Sequence, residues 1–279
     1  MTTKIQLIFL FVLLIFISNN NIGQSIPDYS TLQADFIDTI IINQTSEQNF
    51  IVIPVPTELS LNIYYTVNEN GDSNITKNNI IQGINILNSA FEEIGITFSV
   101  LNLTKITNFN YCIIDSLPEK EEISIKFSEK NTINIYLVDE IILNSANYSG
   151  ITYFPNKPEM NYIFLIKQDY NQTGLIHQMG HFFGLLHTHE TINGMEYVNG
   201  ENCKTTGDLI CDTYADPDLL NKVEECKYMM YDYDANGEDY IPSVANYMSF
   251  SPQECKCYFT SEQYRRMLFY YRNYRNYLK

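Results

Sequence analysis

His177-Gln178-Met179-Gly180-His181-Phe182-Phe183-Gly184-Leu185-Leu186-His187 is the stretch from which the rest of the chain can be read. All four histidines of the protein, these three and His189, fall within residues 177–189. On a helix, residues four apart share a face, so His177 and His181 can present their imidazoles to one ion. Gly184 can take the left-handed conformation that ends a helix. The chain then turns back and offers a third nitrogen. His189 competes for that role, but the Gly184-x-x-His187 spacing favours His187. Three imidazoles with an open fourth position are the donor set of a catalytic zinc, whereas a structural zinc site closes the fourth position with a protein ligand. A lone His-x-x-x-His pair is more often two satisfied helical histidines. The glycine and the third histidine at fixed spacing point instead to zinc held by His177, His181 and His187.

Upstream, the pattern is strand, helix, then several strands. Asn49 to Pro56 and Leu61 to Val67 read as strands rich in Ile, Val and Tyr, and Asn70-Gly71-Asp72 marks a turn. Thr76 caps a helix from about Lys77, along which Ile80, Ile84, Leu87, Phe91 and Ile94 keep a helical period. Gly95 ends it, and Ile96 to Leu103 is the next strand. Residues 105–130 read as a charged loop. Ile133 to Val138, Gly150 to Phe154 and Tyr162 to Ile166 are further strands before the zinc helix. The fold class is α/β (α+β), with a mixed sheet beside the metal-bearing helix.

The N-terminus reads as an export signal. Lys4 supplies a positive start and Ile5 to Ile17 an apolar run shorter than a bilayer span, followed by polar Asn19, Asn20 and Asn21. Residues 1–23 are assigned as a signal peptide, with a signal anchor as the alternative. Residues 24–48 read as a loose leader or short propeptide, and residues 49–279 as the domain. A net charge of −16 argues against nucleic acid and anionic membranes as partners. The mature protein is expected to be secreted, with a protein or peptide as its ligand.

Downstream of His187, Gly, Asp, Asn and Cys recur through residues 193–243, as in a loop-rich lobe. Five of the six cysteines, Cys203, Cys211, Cys226, Cys255 and Cys257, lie here, and in an exported chain they suggest disulfides; Cys112 stands alone. Asp232 to Asp239 matches the first half of an EF-hand loop but has Ser243 where the closing Glu belongs, so it reads as a solvated acidic loop. Sequons begin at Asn43, Asn74, Asn102, Asn147 and Asn171, as chance alone gives in an Asn-rich chain. A helix from about Ser261 closes the chain, with a Thr260/Gln263 capping box and Arg265, Arg266, Arg272 and Arg275 on its exposed sides.

The zinc stretch resembles the metzincin motif His-Glu-x-x-His-x-x-Gly-x-x-His. Three further stretches resemble the pappalysin (cytophagalysin) branch of those peptidases. Gly207-Asp208-Leu209-Ile210-Cys211-Asp212-Thr213 is similar to its Gly-Asp-x-x-x-Asp-Thr-Pro segment, with Tyr214 in place of Pro. Asn246-Tyr247-Met248-Ser249 is similar to its Met-turn, which sets a methionine, here Met248, beneath the metal. Phe259 to Gln263 with Arg266-Met267 is similar to its closing helix. The resemblance covers roughly residues 50–275. It implies an upper lobe of twisted mixed sheet and zinc helix, and a disulfide-stapled lower lobe with Met-turn and C-terminal helix. A cleft for protein or peptide substrates is expected between them. It also implies lower-lobe bridges, paired here as Cys203–Cys226 and Cys211–Cys255, and a calcium site to which Asp208 and Asp212 contribute.

One departure decides the functional question. Where the family has the general-base Glu, this chain has Gln178. A carboxylate can take a proton from the attacking water and pass it to the leaving nitrogen; an amide cannot. Two positions after the Met-turn methionine, where pappalysins carry a Tyr that steadies the tetrahedral intermediate, stands Phe250. Glu190 is the nearest downstream carboxylate that could substitute. The expectations are therefore a zinc metallopeptidase with impaired catalysis or, alternatively, an inactive zinc-binding pseudopeptidase acting as a decoy or inhibitor.

Overall fold

The computed structural model describes residues 29–31 and 33–278. The signal-peptide assignment lies outside the described residues. Six strands form one sheet: β1 (Tyr29–Thr31), β2 (Thr57–Thr66), β3 (Ile96–Ile106), β4 (Ile133–Val138), β5 (Gly150–Tyr153) and β6 (Tyr162–Ile166). Their spatial order is β1-β5-β6-β4-β2-β3, and every neighbouring pair is parallel except β5 with β6. Five helices accompany it: α1 (Gln33–Gln48), α2 (Lys77–Phe91), α3 (Leu117–Phe127), α4 (Gly174–Phe182) and α5 (Ser261–Tyr274). The mixed α/β architecture expected from the sequence is present.

Alternation along β4 shows how the sheet is covered on both sides. Ile133, Ile135 and Leu137 join one apolar cluster with Ile80, Leu87 and Phe91 of α2 and with Ile176 and Met179 of α4. Tyr136 and Val138 join a second with Ile151, Phe164 and Ile123 of α3. A strand buried on both faces reads as a near-continuous apolar run, here broken at Asn134, which is why Ile133 to Val138 was legible. Thr76 caps α2 with a full capping box, and Gly95, at φ +71°, closes the short 3-10 turn that follows.

Several local expectations are corrected. Residues 33–48 are not loose: they form α1, whose Phe36, Ile37 and Ile40 are buried against Phe154, Leu186, Leu209 and Tyr270. Residues 50–56 form no strand; Pro54 and Pro56 lack the N–H a ladder needs, and Ile51, Ile53 and Val55 are exposed. Residues 105–130 are not a loop, since α3 starts from a Ser116 cap that accepts the Glu119 N–H.

Arg266 and Arg275 are not on the exposed side of α5 but fully buried. Arg266 donates to Glu47 Oε1 at 2.7 Å and to the carbonyls of Asp208 and Leu209, each at 2.7 Å. Paired with a carboxylate and hydrogen-bonded at each of its three nitrogens, such a charge can stay inside. The disulfides pair otherwise than expected, as Cys203–Cys211 and Cys226–Cys255, with Cα separations of 5.1 and 5.3 Å. The left-handed backbone at Gly207 and Leu209 folds the first pair together locally. Cys226, itself left-handed, sits in the turn of the hairpin formed by residues 223–228. Cys112 and Cys257 are free thiols.

Candidate metal centre

The zinc stretch folds as the sequence requires. His177 and His181 lie one turn apart on α4, and Gly184, at φ +97°, reverses the chain after it. A side chain at 184 would lie 2.9 Å from the Tyr270 ring and 3.1 Å from that of Phe36, so the turn also needs the missing Cβ. The reversal brings His187 back. His177, His181 and His187 are all buried and form the one group of three or more metal-competent side chains among the described residues. His189 is outside it, stacked on His187 at 4.9 Å.

The donor atoms fit a tetrahedral ion. His181 Nε2 lies 3.2 Å from His177 Nε2 and 3.1 Å from His187 Nε2. Nitrogens placed about 2.0–2.1 Å from a zinc at tetrahedral angles are separated by about 3.3 Å. The second ring nitrogens fix the tautomer. His177 Nδ1 is 2.6 Å from the Tyr247 carbonyl, and His181 Nδ1 is 2.7 Å from the Leu185 carbonyl. A carbonyl only accepts, so each Nδ1 carries the proton and each Nε2 turns its lone pair to the common point.

The Met-turn supports this from below. Met248 is fully buried, and a Cβ on Gly180 would lie 2.5 Å from its sulfur, so Gly180 lets the methionine seat against α4. Asn246 shapes the turn: its Oδ1 accepts the Met248 N–H at 2.8 Å, and its side-chain amide pairs with that of Gln263 at 2.9 and 3.1 Å. The sequence marked Asn246 and Gln263 only as parts of separate motifs; nothing in it joined them.

Gln178 is buried beside His177. Thr152 Oγ1 donates to its Oε1, and a Cβ on Gly150 would lie 2.6 Å from its Cδ. Strand β5 thus holds the residue-178 side chain between a hydroxyl and a bare glycine. Thr152 was missed in the sequence, where no spacing links it to the zinc stretch. The Phe250 ring packs 4.6 Å from that of His187 and 4.2 Å from that of His189. Glu190 Oε1 accepts the N–H groups of Thr191 and Ile192, each at 2.8 Å, so this carboxylate caps a turn.

The two candidate calcium residues are not brought together as a pair of free ligands. Asp212 is exposed and accepts the Glu262 N–H at 2.9 Å. Asp208 is fully buried; its Oδ1 accepts from Ile210 N and Thr213 Oγ1, while Oδ2 has no hydrogen-bond partner among the described residues. The same holds for Glu196 Oε2. Burial, reinforced by the Asp208 charge, pushes the Glu196 carboxyl up to about 8, and burial pushes Asp208 up to about 7. In the Asp232–Asp239 loop two carboxylates are satisfied by protein donors: Asp232 takes Lys222 and Tyr228, and Asp234 takes the N–H groups of Val198, Asn236 and Glu238.

Comparison with known proteins agrees with this centre. Two relatives named extracellular metalloprotease are similar over most of their length. That of Arthroderma benhamiae is 25% identical over 229 residues, 75% of this chain and 76% of the relative. That of Sordaria macrospora is 24% identical over 243 residues, 78% and 76%. Among solved structures, a promirolysin mutant from Tannerella forsythia shares the fold, with a TM-score of 0.61 at 19% identity over 88% of this chain and 91% of that one. The sequence profile of peptidase family M43, described as pregnancy-associated plasma protein-A, matches residues 119–270, a span running from α3 through the zinc stretch and the Met-turn into α5. With its three histidines converged on one point above a buried methionine, the chain belongs to the pappalysin (M43) family of metallopeptidases.

Proposed function

We propose that this protein is a secreted, zinc-binding pappalysin whose peptidase chemistry is impaired, and which engages proteins or peptides beside the metal more effectively than it cuts them. One observation carries the reading: the side chain at the general-base position is an amide, Gln178, buried and clamped by Thr152 at the metal centre. Zinc bound by the three histidines supplies Lewis acidity. Gln178 has nearly the size of the glutamate and can hydrogen-bond, but it does not shuttle a proton at neutral pH. Phe250 brings a ring without a hydroxyl to the same place. General acid–base catalysis is worth about 10²–10⁴ in rate, so hydrolysis without it is slow.

Secretion is part of the proposal. It is supported by the apolar N-terminal run and by relatives named extracellular, and no helix of the described residues is long and apolar enough to cross a membrane. So is the division of the chain, with residues 1–23 a signal and residues 24–48 a leader whose helix stays docked through Glu47 and Arg266. Calcium at Asp208 belongs to it too. The unpartnered oxygens of Asp208 and Glu196 and their raised carboxyl pKa values are what a cation would relieve.

The test compares the zinc-loaded protein with its Gln178→Glu variant and a His181→Ala control on denatured protein and a peptide library, with cleavage read by mass spectrometry. The expected outcome is cleavage by the glutamate variant alone. Zinc-dependent cleavage by the natural protein at the variant's rate overturns the reading.

A further inference from the structure

Arg275 lies far along the sequence from every metal ligand, at the C-terminal cap of α5. It is fully buried. Its Nε donates to the Phe182 carbonyl at 2.8 Å, and its Nη2 donates to the carbonyls of Tyr153 at 2.8 Å and Phe154 at 3.2 Å. The guanidinium carbon lies 3.6 Å from the centre of the Phe182 ring. Nη1 donates to the Tyr277 hydroxyl at 3.1 Å. These acceptors are neutral oxygens, and burial lowers the Arg275 pKa to about 10, which leaves it charged at neutral pH.

What the fork joins gives it meaning. Phe182 is the last residue of α4, next to the ligand His181, and its carbonyl is one of those a helix end leaves unpaired. A cation there also meets the negative end of the helix dipole. Tyr153 ends β5, one residue after the Thr152 that clamps Gln178. The Phe154 ring stands edge-on to His181 at 5.7 Å. One guanidinium therefore spans the two elements whose spacing sets the ligand helix against the strand that holds residue 178.

We propose that Arg275 is a positioning residue of the metal centre, fixing the end of α4 to the end of β5 so that the histidine triad and residue 178 keep their mutual geometry. The inference rests on the zinc reading but not on whether the site turns over. A planar fork with several fixed donors can hold both carbonyl sets at once; a lysine ammonium reaches one. Partners behind metal ligands typically contribute about 10–100-fold to metal affinity.

The experiment measures zinc affinity by competition with a chelating dye, the visible spectrum of the cobalt(II)-loaded protein, and the melting temperature of the metal-free protein. Arg275→Met, Arg275→Lys and Tyr277→Phe are compared with the parent. Arg275→Met is expected to weaken zinc binding by about 10–100-fold and to shift the cobalt spectrum. Arg275→Lys should fall between it and the parent. Tyr277→Phe, which removes the Nη1 acceptor and an exposed bond to the Pro158 carbonyl but leaves the Phe182, Tyr153 and Phe154 bonds of the fork, should bind like the parent. Lower melting temperatures with unchanged zinc affinity and cobalt spectrum mean that Arg275 merely stabilises the fold, and overturn the proposal. If Arg275→Met does not fold, Arg275→Lys decides: parent-like values in both metal readouts overturn the proposal. A parent that binds no zinc at all removes the zinc reading itself, a result distinct from either.

Discussion

The two halves that meet at the histidine triad are built differently. The sheet half, with α4, is organised by apolar periodicity, and its buried strands pack on helices from both sides. Residues 188–258 contain almost no regular structure and are organised by polar satisfaction: two disulfides, side-chain-capped turns and the Asn246–Gln263 amide pair. The sheet half supplies His177 and His181 and, beside them, Gln178. The other half supplies the Tyr247 carbonyl, Met248 and the Phe250 ring packed against His187. On the proposed reading, each half contributes to holding the ion and neither contributes a group that moves charge.

The comparison is sharpened by restoring one half at a time. Gln178→Glu should raise kcat/KM on a cleavable peptide by about 10²–10⁴, because the Thr152 hydroxyl and Gly150 already shape a place for a group of that size. Adding Phe250→Tyr to that variant should contribute a further factor of about 10²–10³, and Phe250→Tyr alone almost nothing. Steady-state kinetics on the four proteins of the cycle measures the coupling. The same gain from Phe250→Tyr with and without Gln178→Glu would mean that the two positions act independently, and would break the comparison between the halves.

Gly180→Ala attacks the joint between the halves. The new Cβ would meet the Met248 sulfur at 2.5 Å inside a filled core. Relief requires the Met-turn or α4 to move, at a cost of about 1–3 kcal/mol. Calorimetry should show a lower melting temperature, and a larger loss with zinc present than without, because the shift also disturbs the Tyr247 carbonyl that orients His177. An equal loss in both states would mean that the turn supports the fold but not the ion.

The same contrast explains what could be read before the structure. The convergence of the three histidines, α2 with its cap, β4 to β6 and α5 were legible because each has a strong local pattern or a fixed-spacing motif. α1 was hidden because its buried face is only Phe36, Ile37 and Ile40, with Ile41 and Ile42 exposed beside them. α3 was hidden because its apolar face is little more than Ile123, and Ile125 points outward. What failed outright was long-range. Which cysteines pair depends on left-handed turns at Gly207 and Cys226, and the burial of Arg266 depends on Glu47 from the far end of the chain. Thr152 reaches Gln178 only because β5 passes beside α4. No window of sequence contains such contacts.

The smallest expected effect separates the lower lobe by its response to pH. Glu196 and Asp208 are held at about 8 and about 7, above the ordinary carboxylate value of about 4, so the folded chain keeps protons that the unfolded chain releases. Their contribution to stability is full below about pH 4 and is lost as pH rises through about 8. The two carboxyls interact, so the loss belongs to the pair rather than to either group. In chelator the melting temperature should therefore fall across this window. In Glu196→Gln, with one charge gone, it should fall less. Calcium should flatten the parent's profile at neutral and alkaline pH and leave its acid limb unchanged, because a cation competes only with protons that the pair still has to hold. A parent profile that is flat in chelator would show that water or a local opening already satisfies the pair. The polar half would then be as closed as the apolar one.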